Sequence, residues 1–252
     1  MHQIPPGLQL FSVREELNKD FKGTMQMIAN MGYKTVEFFG YYDIPALEMK
    51  TILTETGLKA ISSQIFLDQL LSDLYKFIEY SLIVGASYIV VPTVPKEQFT
   101  DHEQFQRLVT NLTWVGTELK RHGLQLAYHN HSQEFEKING QFILERLTSA
   151  ISPDLLKLEI DIGWMAKAGV NPVTYLPLLK DRLALLHIKT IDREGNFTEF
   201  ERGVLDLKAI YNVAIMAGVN YYFVEQDTSS NPLLSAKLNL NFLRAVGIAP
   251  PC

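Results

Sequence analysis

QLAYHNHSQEFE, residues 125–136, begins as an apolar run of strand type and ends on His129, Asn130 and His131, with Glu134 and Glu136 close behind. The chain has only six histidines, and two of them stand one residue apart at the end of this run. Side chains alternate along a strand, so His129 and His131 share a face. Immediately upstream, Gly123 follows a helix-like segment, as glycine does just past a helix C-terminus where the backbone needs φ > 0.

The same order of helix, glycine and strand recurs around Gly32, Gly57, Gly85 and Gly218. Three more apolar runs, GLQLFSV at 7–13, LLKLEIDIG at 155–163 and LALLHIKTI at 183–191, lack the glycine but have the strand pattern. Such near-continuous apolar runs indicate a parallel sheet buried on both faces. Eight strands are expected near 7–12, 34–39, 58–64, 87–92, 124–129, 156–161, 183–189 and 220–225. Helices are expected over 67–84, 101–121, 138–150, 206–217 and 231–246. The 252 residues give one repeat per roughly 31 residues, which fits an α/β single-domain (β/α)₈ TIM barrel spanning 1–252. A doubly wound open sheet is the rival fold. It calls for a glycine-rich phosphate loop after strand one, where this chain has SVREELNKD.

Hydrophobic content is 47%, charged content 20% and net charge −5, the profile of a globular protein with a large core. There is no Lys/Arg run, which argues against nucleic acid or an anionic membrane as partner. No 18-residue apolar stretch predicts a membrane span. MHQIPPGLQL shows no basic-then-apolar leader, so the expectation is a cytoplasmic protein, a processed exported form also being compatible. The single cysteine, Cys252, excludes an internal disulfide and a thiolate metal site.

Catalysis in such a barrel occurs at the C-terminal ends of the strands. Those ends carry Gln9 and Arg14 (strand one), Glu37 (two), Gln64 (three) and Thr93 (four). His129, His131 and Glu134 follow on strand five, and Glu159, Asp161 and then Trp164 on strand six. His187, Lys189 and Asp192 end strand seven, and Glu225 and Asp227 strand eight. A lone histidine at a strand end is usually a hydrogen-bonded structural residue, and a lone acid there often caps the next helix. Charges inside apolar strands are costly unless paired or metal-bound, and such groups on four successive strands point to a joint site. Two imidazoles with two carboxylates suit Mn²⁺, Zn²⁺, Co²⁺ or Fe²⁺, with Mg²⁺ possible, rather than Ca²⁺.

GLQLFSVRE (7–15), YHNHSQEFE (128–136), LEIDIGWMAKAGVNP (158–172), LLHIKTID (185–192), ERGVLDLKAI (201–210) and YYFVEQD (221–227) together resemble the xylose isomerase-like TIM barrels, the sugar phosphate isomerase/epimerase superfamily, in the branch with Y-H-N-H on strand five. The resemblance implies a divalent metal held by His129, Asp161, His187 and Glu225. Many relatives have Glu where this chain has His129, which leaves His131 or Glu134 as alternative first ligands. Glu225 is then the expected base, with His131, Glu134 or Lys189 as its partner. Thr190 replaces the Asp of the H-x-K-D form, and Arg202 stands where a small residue is common.

Gln9, Glu37, Gln64, Trp164 and Arg202 are the expected substrate contacts, although Arg202 reads more readily as a solvated loop residue. The expected activity is isomerisation or epimerisation of a sugar, keto-sugar or related polyol, by proton abstraction next to a carbonyl through a metal-stabilised enediolate. The rivals are a keto-inositol dehydratase or keto-glycoside lyase of the same fold, and a barrel that binds sugar without catalysis. A small carbohydrate is the expected partner, and a homo-oligomer is compatible with the sequence.

Overall fold

The computed structural model describes residues 4–251. Eight parallel strands close into a barrel: β1 Gly7–Gln9, β2 Thr35–Phe39, β3 Lys59–Gln64, β4 Tyr88–Val91, β5 Gln125–His129, β6 Leu156–Asp161, β7 Leu183–Ile188 and β8 Tyr221–Val224. Each strand pairs with its sequence neighbours, and the seam is closed by β1 on β8 through the register pairs Gly7↔Phe223 and Leu8↔Val224. Gly7 is required at that seam, because a Cβ there would lie 2.5 Å from the Tyr222 carbonyl oxygen.

All five glycines expected to end helices adopt positive φ, from 70° at Gly57 to 105° at Gly32. The helix over Leu67–Val84 matches its expected range, and those over His102–Arg121, Leu207–Met216 and Pro232–Ala245 fall within theirs. Two expectations are corrected. The first strand stops at Gln9, whose side chain accepts a hydrogen bond from the Phe11 amide and starts a 3-10 turn, Leu10–Val13. The expected helix over 138–150 begins only at Ile143, because Lys137–Ile138 and Gln141–Phe142 pair as a hairpin around Asn139 and Gly140, both at positive φ.

The main apolar core lies between strands and helices. A smaller cluster includes Ala127, Leu185 and Phe223. Each stands two positions before His129, His187 or Glu225, so the period of two stacks an apolar plug beneath a polar layer. Among the described residues no helix is long and apolar enough to cross a membrane.

Candidate metal centre and active site

The Y-H-N-H segment is held by its own neighbours. Asn130 clamps β5 to β6: its Oδ1 accepts from the Asp161 amide at 3.0 Å, and its Nδ2 donates to the Asp161 carbonyl at 3.2 Å. Glu134 folds the following loop back, accepting from the His131 amide at 2.7 Å and the Tyr128 hydroxyl at 2.8 Å. His129 and His131 are thereby fixed with their ring centroids 5.1 Å apart, and both line the pocket.

Asp161 ends β6 and caps the short helix Ile162–Lys167, its Oδ1 accepting from the Trp164 amide at 2.9 Å. Its other oxygen, Oδ2, is buried, accepts no hydrogen bond and lies 2.9 Å from the Lys189 Nζ. Gly163 in that turn leaves room for the lysine: a Cβ there would come within 2.8 Å of Lys189 Cγ.

His187 is fully buried between carboxylates, with Nδ1 2.9 Å from Glu225 Oε2 and Nε2 2.8 Å from Glu37 Oε1. Glu37 in turn accepts from Gln9 Nε2 and Ser62 Oγ, each at 2.5 Å. Glu159, also fully buried, brings Oε2 to 3.1 Å from His129 Nδ1 and 3.2 Å from His187 Nε2, and accepts from Gln64 at 3.1 Å. An imidazole that donates one N–H to a carboxylate has its tautomer fixed and offers the other nitrogen to a metal. With Glu159 and Glu37 against the other ring nitrogens, His129 Nε2 and His187 Nδ1 are the ones placed to hold an ion.

One ligand atom from each of His129, Asp161, His187 and Glu225 lies within 4.8 Å of the others, and all four residues are buried. Two imidazoles, two carboxylates and an unbonded buried Asp161 oxygen fit a borderline divalent ion. Glu37, Glu159 and His187 form a second set by the same measure, but both Glu37 oxygens already accept hydrogen bonds from Gln9 and Ser62.

Lys189 joins the layer as a buried ammonium, 2.7 Å from Glu225 Oε2 and 2.7 Å from Asp227 Oδ1. Burial opposes its charge, but Asp161, Glu225 and Asp227 outweigh that and raise its pKa. Burial would likewise raise Glu225, yet the Lys189 ammonium and His187 hold it well below the usual carboxylate range. Burial lowers His129 to about 4 and His131 to about 3, so both are neutral imidazoles near pH 7. Burial and the Glu159 charge push Glu37 up to about 8.

Above this layer opens a cavity of about 400 Å³, with His129, His131, Lys189 and Glu225 toward its floor and Phe11, Phe39, Phe66 and Trp164 as walls. The Trp164 ring packs 5.1 Å from that of His131. Of the expected substrate contacts, Gln64 and Trp164 line this cavity, while Gln9 and Glu37 lie beneath it. Glu134 is buried behind the loop, and Arg202 is exposed in a separate cleft beside Glu199. Three residues named at the strand ends were given no role from the sequence: Glu159 under the two histidines, Asp227 on Lys189, and Arg14, whose guanidinium stacks 3.9 Å over Phe11 at the pocket wall. Their signal was present, since each is a polar residue at or near a strand end.

An inosose dehydratase from Lacticaseibacillus casei is 26% identical over 159 residues, which cover 54% of this chain and 52% of that protein. The chain thus matches about half the length of such curated relatives. Among solved structures, a sugar phosphate isomerase/epimerase from Parabacteroides distasonis superposes with a TM-score of 0.81 at 22% identity, covering 99% of this chain and 96% of that one. The IOLI protein with a bound zinc superposes with a TM-score of 0.75 at 15% identity, covering 96% and 98%. These two likenesses establish the shared fold. The family pattern itself runs over residues 25–246, and on that match the chain belongs to the xylose isomerase-like TIM barrel family.

Proposed function

We propose that this chain is a divalent-metal-dependent enzyme acting on a keto-sugar, sugar or related polyol by removing a proton from the carbon next to a carbonyl. The convergence of His129, Asp161, His187 and Glu225 on one point beneath an open pocket carries the reading. When bound there, a divalent ion supplies the positive charge that stabilises negative charge developing on the substrate oxygen.

The protein's own groups supply the rest. Glu225 is held ionised by Lys189 and His187 and accepts the carbon-bound proton. His131 and Lys189, also at the pocket, are the further groups that carry or return a proton. Trp164 and Phe39 offer flat apolar faces to the sugar. Returning the proton to the opposite face or to the neighbouring carbon gives an epimer or an isomer, and this is the leading reading.

Elimination is the second reading, and a specific observation favours it. With His129 in the strand-five position, the candidate ligand set has carboxylates only on β6 and after β8, so two glutamates do not flank the substrate. One base and one acid suffice for dehydration: Glu225 takes the proton from the carbon next to the carbonyl, the hydroxyl on the following carbon leaves with a proton from the Lys189 ammonium, and water and an alkene are formed. The inosose dehydratases among the relatives support it.

The deciding experiment incubates metal-loaded protein with a panel of keto-sugars and keto-cyclitols in D₂O. Deuterium at the carbon next to the carbonyl, with epimer or isomer formed, supports the leading reading. Loss of water or of an aglycone supports the second. A protein purified without chelator that holds no Mn, Zn, Co or Fe, and gains no activity with any of them, is a sugar-binding barrel without catalysis.

A further inference from the structure

Among the described residues two permanent cations line the pocket, Lys189 and Arg14, and only one of them has its counter-charge. The Lys189 ammonium is matched by Asp161, Glu225 and Asp227. Arg14 forms no ion pair with any described residue.

Arg14 is nonetheless fixed in place, by contacts that use one nitrogen and one face of its guanidinium. Nη1 donates to the Phe11 carbonyl at 2.8 Å and to the Asp227 carbonyl at 3.2 Å, and the group lies 3.9 Å over the Phe11 ring. The remaining edge, Nε and Nη2, has no hydrogen-bond partner among the described residues and is not sealed from solvent. Arg14, Asp227 and Thr228 also line a side cavity of about 130 Å³ that none of the candidate metal ligands lines. Arg14 therefore stands at the margin of the pocket, where it holds a ligand group other than the reacting carbons.

Two parallel N–H donors on a planar edge match the two oxygens of a carboxylate in geometry and in charge. A hydroxyl uses one donor and leaves the charge unmet. A phosphate ester brings about −1.5 to −2 charge and three acceptor oxygens, more than one such edge satisfies. The Asp227 carboxylate does not supply the missing anion, because its Oδ1 is held by Lys189 at 2.7 Å.

We propose that Arg14 is the specificity-determining residue of this pocket and binds a carboxylate on the substrate, so that the substrate class is a keto-sugar acid rather than a neutral sugar or cyclitol. The inference rests on the keto-sugar reading of the site given above. Arg14 holds the acid end of the molecule, and the carbonyl and its neighbouring carbon meet Glu225.

The test is calorimetric titration of Mn²⁺-loaded protein with matched probes: fructose, fructuronate and fructose 6-phosphate, and the same three in the tagatose series. In at least one series the keto-uronate should bind about tenfold or more tightly than the neutral hexulose, the gain expected of one charge-assisted pair. Arg14→Gln should lose that preference, and Arg14→Lys, which keeps the charge without the planar edge, should keep part of it. A merely structural role would weaken both ligands alike and leave their ratio unchanged, and melting temperatures check that the variants are folded. If the wild-type protein binds a neutral hexulose as tightly as its keto-uronate in both series, or if folded Arg14→Gln keeps the full preference, the role of Arg14 is wrong and the keto-sugar reading stands. A hexulose 6-phosphate bound more tightly than the keto-uronate overturns the carboxylate class. If fully metallated protein binds no member of either series, both readings fall together.

Discussion

Glu159 stands directly across from His129 in the register between β5 and β6, and its Oε2 lies 3.1 Å from His129 Nδ1. A buried carboxylate on β6 thus stands against the imidazole on β5. The same oxygen reaches His187 Nε2 at 3.2 Å, so one side chain orients both candidate ligands. Glu159→Gln keeps the shape and removes the charge that fixes the two imidazoles. Metal affinity should fall about 10- to 100-fold, the usual cost of losing such a partner. Competition against a chromophoric chelator measures this, and an unchanged affinity would show that the histidines are oriented without Glu159.

Glu225 and His187 are assigned different duties by the same cluster. Glu225→Gln should abolish turnover and weaken metal binding, because it removes both a ligand charge and the base. His187→Ala should lose the metal outright. Elemental analysis after gel filtration reads both, and His187→Ala with wild-type metal content would show the ligand set to be wrong.

Lys189 places its ammonium on Asp161 and Glu225, two of the carboxylates an ion would use. Cation and ammonium therefore compete for the same charge. Lys189→Met takes the ammonium away from three carboxylates, two of them buried, which costs about 3 kcal/mol or more and lowers the melting temperature of chelator-treated protein by about 6–12 °C. Divalent metal should then restore more stability to the variant than to the wild type, since it binds the folded state and meets no competing charge. Thermal melts with chelator and with added Mn²⁺ or Zn²⁺ test this, and a metal-induced rise no larger than in wild type would refute the competition.

Trp164 makes wall contacts and coordinates nothing: its ring packs on His131 and, at 4.7 Å, on Phe197. Trp164→Ala should raise KM more than it lowers metal content. Steady-state kinetics beside metal analysis separates the two effects, and the reverse pattern would make it a structural support of Asp161.

The strands could be read in advance because a buried parallel strand is a continuous apolar run and the helix before it often ends on a glycine at positive φ. The hairpin at Lys137–Phe142 was hidden, although Asn139-Gly140 is a strong turn signal, because it interrupts a segment whose apolar spacing continues into the helix from Ile143. At the site, the identities at the strand ends were legible and the division of labour was not. That Glu159 lies under His129, and that Gln9 and Glu37 lie below the pocket, follows from how far each strand is staggered against the next. Stagger is set by barrel closure, which no local stretch encodes.

The seam between β1 and β8 has a consequence for how the protein is made. The first strand leaves the ribosome long before the strand that must pair with it, so the nascent chain carries two open sheet edges until that last strand is made. Glu225 follows directly on that last strand, so a chain that still lacks the strand also lacks one of the four candidate ligands. A captured ion would therefore mark the molecules in which the ring of strands has shut.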